Sequence, residues 1–557
     1  MTAVYPDWDA LTDEEREIVE PLKLGPTWMR TPLGQWALPE RTLGWQIAGW
    51  AAEWLLGKEG KPWKFTPEQL RFVLWWYAMD EHGEFIYRTG VLQRMKGWGK
   101  DPLLAVLCLV ELVGPCRFGG WQADGTPIGV PHPQAYIQIS AVNLSQTENT
   151  MDLIPSLMSD AFIKHYRIKP GAELIRANGG KQKLQAVTSN YRAIEGKRTT
   201  FSLLNETHHW VSGNGGHKMA ETIDGNATKM NSRYLAITNA YLPGEDSVAE
   251  RMRLDWEKRQ ERIEAGDPDA DIGFLYDSLE AGPKAPLKGH LVPFILDLVR
   301  GDAKWLVIKA MIQSISNTQI APSRSRRMYY NQVWADEEAL HGPETWDPLA
   351  DDTLTLHPGD EIVMGFDGSK SRDATALVAI RVSDGFASLL GFWERPDGPA
   401  GEDWQVNRTE VDSTVHEVFR TYGVKAFYAD VREWESYIAD WSEAYAGGLN
   451  VRSPGGRDGI GWDMRGQLKR STMAHERLMR SVFDSKLKHD GDRRLRRHVL
   501  NAKRRENIFG VYFGKASPDS PRRVDAYAAL MLAHEALTDY RTSGKKQTTG
   551  TGRVWFM

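Results

Sequence analysis

Two apolar runs separated by a polar, glycine-bearing loop set the frame of this chain. Phe85, Ile86 and Tyr87, then Val91 and Leu92, read as strand. Arg94-Met-Lys-Gly-Trp-Gly-Lys-Asp101 follows as a tight loop, and an apolar helix runs from Pro102 to Leu112. Upstream, helical patterns cover Leu43–Leu56 and Phe65–Tyr77. Downstream, Gln134–Ala141 alternates as a strand and gives way to a helical stretch over Asn143–Met158. Leu184–Thr188, Phe201–Leu204 and Tyr234–Thr238 are short strands, the last two running into Asn205-Glu206-Thr-His-His209 and Asn239-Ala240. Strands spaced by helical stretches predict an α/β sheet, largely parallel, with ligands at the carboxyl ends of its strands. A second set begins near Pro358. Glu361–Phe366 ends at Asp367, Ala374–Val382 and Ala387–Trp393 follow, and Lys425–Ala429 ends at Asp430. A helix over Val524–Leu537 comes last.

Length and composition narrow this picture. The 557 residues call for more than one domain. Five segments are expected: 1–55, of no assignable role; 56–265, a first α/β domain; 266–357, a connector whose basic run Ser323-Arg-Ser-Arg-Arg327 joins the halves; 358–540, a second α/β domain; and 541–557, a loose polar tail. A net charge of -5 leaves any nucleic-acid surface to be local. Two cysteines, Cys108 and Cys116, the first within an apolar helix, argue against a disulfide framework or a cysteine-based zinc site. No stretch reaches the roughly 20 apolar residues of a membrane span, and the acidic N-terminus has no apolar signal core. A soluble, reducing compartment is the expectation.

Strand, glycine loop with lysine, helix is a phosphate cradle: backbone N–H groups and a helix N-terminus face the phosphates, and the lysine reaches them. The candidate nucleotide-binding set is Arg94, Lys96, Gly97, Trp98, Gly99, Lys100 and Asp101. Arg94 stands where the usual motif has its first glycine, and Asp101 where it has Ser/Thr. The bland reading is a turn in which Asp101 caps a helix opened by Pro102. Arg94 either neutralises phosphate or pairs with a nearby acid. Gln69 either completes a capping box with Thr66 or reads an adenine edge. Glu206, one step past a strand, is placed to activate water. The strand-end magnesium ligand is Asn205 here, so Asp101 is proposed as the relocated metal ligand. Thr238 and Asn239 stand where a γ-phosphate is sensed, or simply end a strand. His208 and His209 lack the His-Glu-x-x-His spacing of a zinc site, and the reading favoured is structural.

The second constellation is acidic. Asp367 and Asp430 end strands, and Asp525 opens a helix whose face through Ala528, Ala529 and Leu532 is small and apolar. Three converging carboxylates repel one another unless divalent metal lies between them, which is the layout of two-metal phosphodiester cleavage. Taken singly, they are a turn residue, a cap and a first-turn acid. Asp373 is a weaker fourth candidate. Between Arg465 and Arg505 stand 14 Lys and Arg against 4 Asp and Glu. That run reads either as a solvated face or as a surface for duplex DNA without sequence readout.

The order of RMKGWGKD, LLNETHHW, GFDGSKSRDATAL, FYAD and RRVDAYAALMLA over roughly residues 60–537 resembles the large terminase subunit of tailed bacteriophages. The resemblance implies a P-loop ATPase domain followed by an RNase H-like nuclease domain. It implies ATP-driven packaging of double-stranded DNA into a procapsid, with Mg2+ or Mn2+ as metal and cutting of concatemeric DNA. Lys100 and its loop would bind ATP, Glu206 would be catalytic, Thr238-Asn239 would couple hydrolysis to movement, and Asp367, Asp430 and Asp525 would hold the nuclease metals. The implied partners are the portal protein, the small terminase subunit and other copies of the chain on the portal, in the cytoplasm of the infected host and transiently on the procapsid, with no membrane. Two alternatives stay open. A cellular helicase–nuclease needs a second motor domain, which is not found between Pro243 and Pro358. A DNA- or portal-binding scaffold with a decayed nucleotide site is the non-enzymatic one.

Overall fold

A computed structural model describes residues 8–188, 194–268, 270, 273–317, 319–335, 338–369, 373–396, 401, 403–454, 459–515 and 522–543, with 144–149 by backbone alone. Most of the polar tail expected over 541–557 therefore lies outside the described residues. The chain divides into two compact units, Met1–Leu242 with Asp246–Trp334, and Pro243–Glu245 with Ala335–Met557.

The first unit is built on eight strands: β1 (Leu22–Leu24), β2 (Thr89–Gln93), β3 (Tyr136–Ser140), β4 (Leu174–Ala177), β5 (Gln182–Val187), β6 (Phe201–Leu204), β7 (Arg233–Thr238) and β8 (Phe274–Glu280). Their order is β1-β8-β2-β7-β6-β3-β5-β4. The six inner strands run parallel, and β1 and β4 close the edges antiparallel. Parallel pairing puts the ends of β2, β7 and β6, three neighbours, on one edge. The phosphate loop leaves β2, Asn239 leaves β7, and Asn205-Glu206 leave β6.

Two helices frame that edge. Helix α1 (Pro67–Trp76) starts at Thr66, whose hydroxyl accepts from the Gln69 N–H while the Gln69 side chain returns to the Thr66 N–H. Helix α2 (Lys100–Val113) is almost wholly buried, and Cys108 and Cys116 are both buried and free. The stretch expected as a connector does something else. Residues 274–280 are strand β8, inside the sheet beside β2. The basic run 323–327 falls in helix α3 (Pro322–Tyr329) of the same unit, where the Met328 carbonyl accepts the Lys96 N–H at 2.9 Å. Strand β8 has the sequence FLYDSLE and is buried along its length. Its polar side chains have distant partners, Arg94 and Thr27 for Asp277, Gln93 and Arg253 for Glu280.

The second unit holds a six-stranded sheet: β9 (Glu361–Asp367), β10 (Ala374–Arg381), β11 (Phe386–Glu394), β12 (Gly423–Asp430), β13 (Gly461–Trp462) and β14 (Lys488–His489), in the order β13-β12-β9-β10-β11-β14. An antiparallel meander β9–β10–β11 with β12 parallel to β9 is the RNase H-like arrangement. Phe366 pairs with Ala429, so Asp367 and Asp430 end neighbouring strands at the same level. Helix α4 (Leu468–Phe483) is followed by a separate hairpin, β15 (Lys503–Asn507) and β16 (Gly510–Gly514). Helix α5 (Asp525–Thr542) lies against β9. A Cβ on Gly365 would sit 2.0 Å from the Ala529 carbonyl oxygen, so only glycine lets the helix approach this closely. That approach carries Asp525 to the strand ends.

Candidate functional site

In the first unit the loop after β2 turns through Gly97 (φ 81°) and Gly99 (φ 96°), backbone conformations that side chains resist. Lys100 then starts α2, whose first-turn N–H groups have no partner within the helix. The Lys100 ammonium is buried and donates to the carbonyls of Arg94 (3.0 Å) and Met95 (3.1 Å) and to Asn239 Oδ1 (2.6 Å). Burial pulls its pKa down to about 8, against the pull of Glu206 and Asp101. Glu206 occupies a left-handed turn (φ 57°, ψ 50°), a conformation that costs energy outside glycine. Its Oε2 accepts from Asn239 Nδ2 at 3.4 Å and lies 3.3 Å from His208 Nε2. Burial, together with the nearby Asp101 charge, pushes its carboxyl above the ordinary range. Asn239 thus spans the lysine and the glutamate, and Thr238 offers its hydroxyl to the Asn239 carbonyl at 2.7 Å.

His208 is a second strap. Its Nδ1 lies 3.1 Å from Thr238 Oγ1, and burial keeps the ring neutral, its pKa far below the usual value. Ligand atoms of Glu206, His208 and His209 fall within 4.8 Å of one another, closer than their sequence spacing suggests. The Lys100 ammonium beside Glu206 works against a cation held there.

The open alternatives now resolve. Arg94 does not face the phosphate position. Its guanidinium is buried in an ion pair with Asp277, which also accepts from Thr27. Replacing Arg94 by alanine is therefore expected to act on stability. An orphaned buried carboxylate costs about 3–5 kcal/mol, read as a loss of melting temperature that Arg94→Ala/Asp277→Ala partly restores. Trp98 is also turned inward, donating to Glu68 at 3.1 Å, so only its backbone belongs to the loop. The Lys96 side chain is exposed. Gln69 closes the capping box at 3.1 and 3.3 Å, yet still borders a cleft of about 770 Å³ beside the loop. Asp101 lines that cleft too, and burial raises its carboxyl. Asn205 is buried, its amide 3.4 Å from Thr150.

Sequence reasoning missed Trp305. Its ring nitrogen donates to the Gly97 carbonyl at 2.9 Å, and its half-exposed indole forms a wall of the same cleft. It also missed Arg327 on α3, whose charge helps depress the His208 pKa. Neither carries a local signal: Trp305 reaches the loop from 208 residues downstream, and Arg327 acts on His208 from a distant helix.

In the second unit Asp367, Asp373, Asp430 and Asp525 line one cleft of about 480 Å³, with Arg465 and Tyr512. Burial holds the Asp367 carboxyl well above its ordinary pKa, and the charges of Asp525, Asp430 and Asp373 add to the rise. Burial lifts Asp430 to about 6, with the Met464 N–H bound to its Oδ1 at 3.3 Å. Asp525 is raised by burial as well. Its Oδ2 is buried without a hydrogen-bond partner among the described residues. Carboxylates that repel one another around a shared cleft, one with an orphaned buried oxygen, offer the hard oxygen donors that suit Mg2+ or Mn2+, although no three of them bring ligand atoms within 4.8 Å of one another. Asp373 is ion-paired with Lys515, at the end of the β15–β16 hairpin, another residue the sequence did not single out.

The basic run 465–505 is less open than its composition suggested. Arg477 pairs with Glu535 (2.5 Å), Lys488 with Asp351 (2.9 Å), Arg496 with Asp347 (2.7 Å) and Arg497 with Glu394. Much of its charge is neutralised by acids elsewhere in the unit. Arg465 stays at the cleft.

No family model matches the chain. Over an alignment of 588 positions it is 39% identical to the "Gene 13 protein" of Mycobacterium phage L5, covering 95% of this chain and 96% of that protein. It is 38% identical to the "Gene 13 protein" of Mycobacterium phage D29, with the same coverage. Among solved structures it is similar to the large terminase of bacteriophage HK97, with a TM-score of 0.47 and 17% identity over 89% of this chain and all of that one. Among the described residues no helix is long and apolar enough to cross a membrane.

Proposed function

The chain belongs to the family of the gene 13 proteins of mycobacteriophages, and from that premise we propose that it is a phage large terminase subunit, an ATP-driven DNA-packaging motor that carries its own metal-dependent nuclease. The observation that carries this reading is the cleft of the second unit. Four aspartates line it, and a buried oxygen of Asp525 lacks a partner among the described residues. Asp367, Asp430 and Asp525 would hold Mg2+ or Mn2+. A bound divalent ion would supply charge stabilisation at the scissile phosphate and a water of lowered pKa. Tyr512 and Arg465 line the same cleft, where the arginine suits a phosphodiester backbone.

In the first unit Gly97, Gly99 and the start of α2 would cradle the phosphates of ATP, with Lys96 and Lys100 as cations. Glu206 would take a proton from water. All three hydrogens of the Lys100 ammonium are engaged, so to meet a phosphate it must release one acceptor, a loop carbonyl or the Asn239 oxygen. Release of Asn239 would leave it held by Glu206 alone, the change through which Thr238-Asn239 would couple hydrolysis to movement. Duplex DNA, the portal protein, the small subunit and further copies of the chain on the portal are the partners of this reading, and the host cytoplasm is its setting.

The purified full chain should hydrolyse ATP and cut plasmid DNA in Mg2+ or Mn2+. Lys100→Ala should lose the first activity and Asp367→Ala the second. A scaffold with a decayed nucleotide site would show neither. The proposal that Asp101 carries the metal-ligand role of the altered motif has its own test. Asp101→Ser should lower magnesium-dependent ATPase, and adding Asn205→Asp should recover it. Full activity of Asp101→Ser alone would show that the carboxylate has not moved to the loop.

A further inference from the structure

Helix α5 begins at the aspartate cleft without a side-chain cap. Its N-cap residue is Val524, which has no polar side chain, so the N–H groups of the first turn must find acceptors elsewhere. One of them does so far away in sequence. The Ala526 N–H donates to Nδ1 of His498 at 3.0 Å. His498 lies in the helix Arg493–Asn501, is fully buried, and packs edge-on against Phe392 of β11, with ring centres 5.3 Å apart. Because Nδ1 accepts, the ring proton sits on Nε2, which is 3.4 Å from Glu394 Oε1. Glu394 ends β11 and pairs with Ala374, as Asp367 pairs with Ala376, so both stand at the same edge of the sheet. It is ion-paired in turn with Arg497 and with Arg523, the latter at 3.0 Å. The imidazole is thereby fixed on both sides. A charged cluster orients Nε2, and Nδ1 faces the start of α5.

This bond bears on Asp525, the residue before Ala526. A bare N–H in the first turn of a helix carries partial positive charge, and a carboxylate in the same turn is drawn to it. An aspartate so engaged has less to give a cation. Here the donor is already taken, and Asp525 keeps a buried oxygen, Oδ2, with no hydrogen-bond partner among the described residues. We propose that His498 is a positioning residue of the nuclease site: by holding the Ala526 N–H it fixes the start of α5 and leaves the Asp525 carboxylate free to take a divalent ion. This inference rests on the nuclease reading of the second unit.

The test is calorimetric titration of Mn2+ into the full chain, without nucleotide or DNA, for the native protein and three His498 variants. His498→Asn keeps an amide oxygen where Nδ1 stands, so the Ala526 N–H retains an acceptor. His498→Gln reaches toward Glu394 but leaves that N–H bare, and His498→Ala leaves both groups bare. The dissociation constant for Mn2+ should rise about tenfold in His498→Gln and His498→Ala, the low end of what removing the support of a metal ligand costs, and stay within about twofold of native in His498→Asn. Cleavage of plasmid DNA should follow. The half-saturating Mn2+ concentration should rise by the same factor, while the rate at saturating Mn2+ stays close to native. A histidine that only fills space would lower the melting temperature in all three variants and leave the Mn2+ constant unmoved, a result that would overturn the proposal. So would His498→Asn binding Mn2+ as weakly as His498→Gln. The Asn and Gln variants decide the matter even where His498→Ala does not fold. A native chain that binds Mn2+ no more tightly than the Asp367→Ala, Asp525→Ala double variant would instead remove the nuclease reading itself.

Discussion

Asp367→Asn is expected to make the metal-free protein more stable while removing its DNA cleavage. Asp367 is buried with Asp373, Asp430 and Asp525 around one cleft, and both burial and its neighbours oppose its ionisation. At neutral pH the folded chain bears that cost, whereas the unfolded chain does not. An amide keeps the shape and relieves the repulsion. The melting temperature of the metal-free chain should rise, by about 2–4 °C for each kcal/mol relieved in a unit of this size. Cleavage should fall about a thousandfold, the equivalent of the several kcal/mol that metal-held charge contributes at a phosphoryl centre.

The pH dependence follows from the same groups. A carboxyl raised in the folded state binds its proton more tightly there than in the unfolded chain. The contribution of these groups to stability is therefore fullest below about pH 4 and falls as pH rises through their folded pKa values, about 6 for Asp430 and well above the ordinary value for Asp367. Adding Mg2+ above pH 6 should reverse the fall in the native chain and do so weakly in Asp367→Asn. Melting curves across pH 5–8 with and without Mg2+ measure this. A native chain that Mg2+ does not stabilise would count against the metal site.

The ends of strands were the legible part of this molecule. Phe201–Leu204 and the strand before Asp430 stand out because apolar runs stop at a polar residue, and parallel pairing then brings such ends together by geometry alone. What pairs with what was not legible. Strand β8 escaped notice because Asp277, Ser278 and Glu280 break its apolar run, and their partners lie up to 250 residues away. Arg94 was open between phosphate and acid for the same reason, since Asp277 sits on a strand read as connector. The basic run from Arg465 looked free because its counter-ions Asp347, Asp351, Glu394 and Glu535 belong to other segments. Local pattern reports periodicity and chain direction. It does not report which distant side chain satisfies a buried charge.

Glu206→Gln separates binding from hydrolysis in the first unit. The amide retains an oxygen for the Asn239 Nδ2 that Glu206 now accepts at 3.4 Å, so the turn should hold. What is lost is the base that takes a proton from water, a contribution of roughly 10²–10⁴ in rate. The turnover number for ATP should fall by that factor while nucleotide affinity near pH 7 is retained. A second effect involves Lys100. Burial already draws its pKa down to about 8, and the Glu206 charge is the first of the influences holding it up. Without that charge the lysine loses its proton at lower pH, and only the ammonium form grips phosphate. Nucleotide binding by Glu206→Gln should therefore weaken between pH 7 and 8.5 more steeply than in the native chain. Titration of a fluorescent ATP analogue across that range measures the difference. Native-like turnover in Glu206→Gln would assign water activation to another group, and parallel pH profiles would mean that the glutamate and the lysine do not share a field.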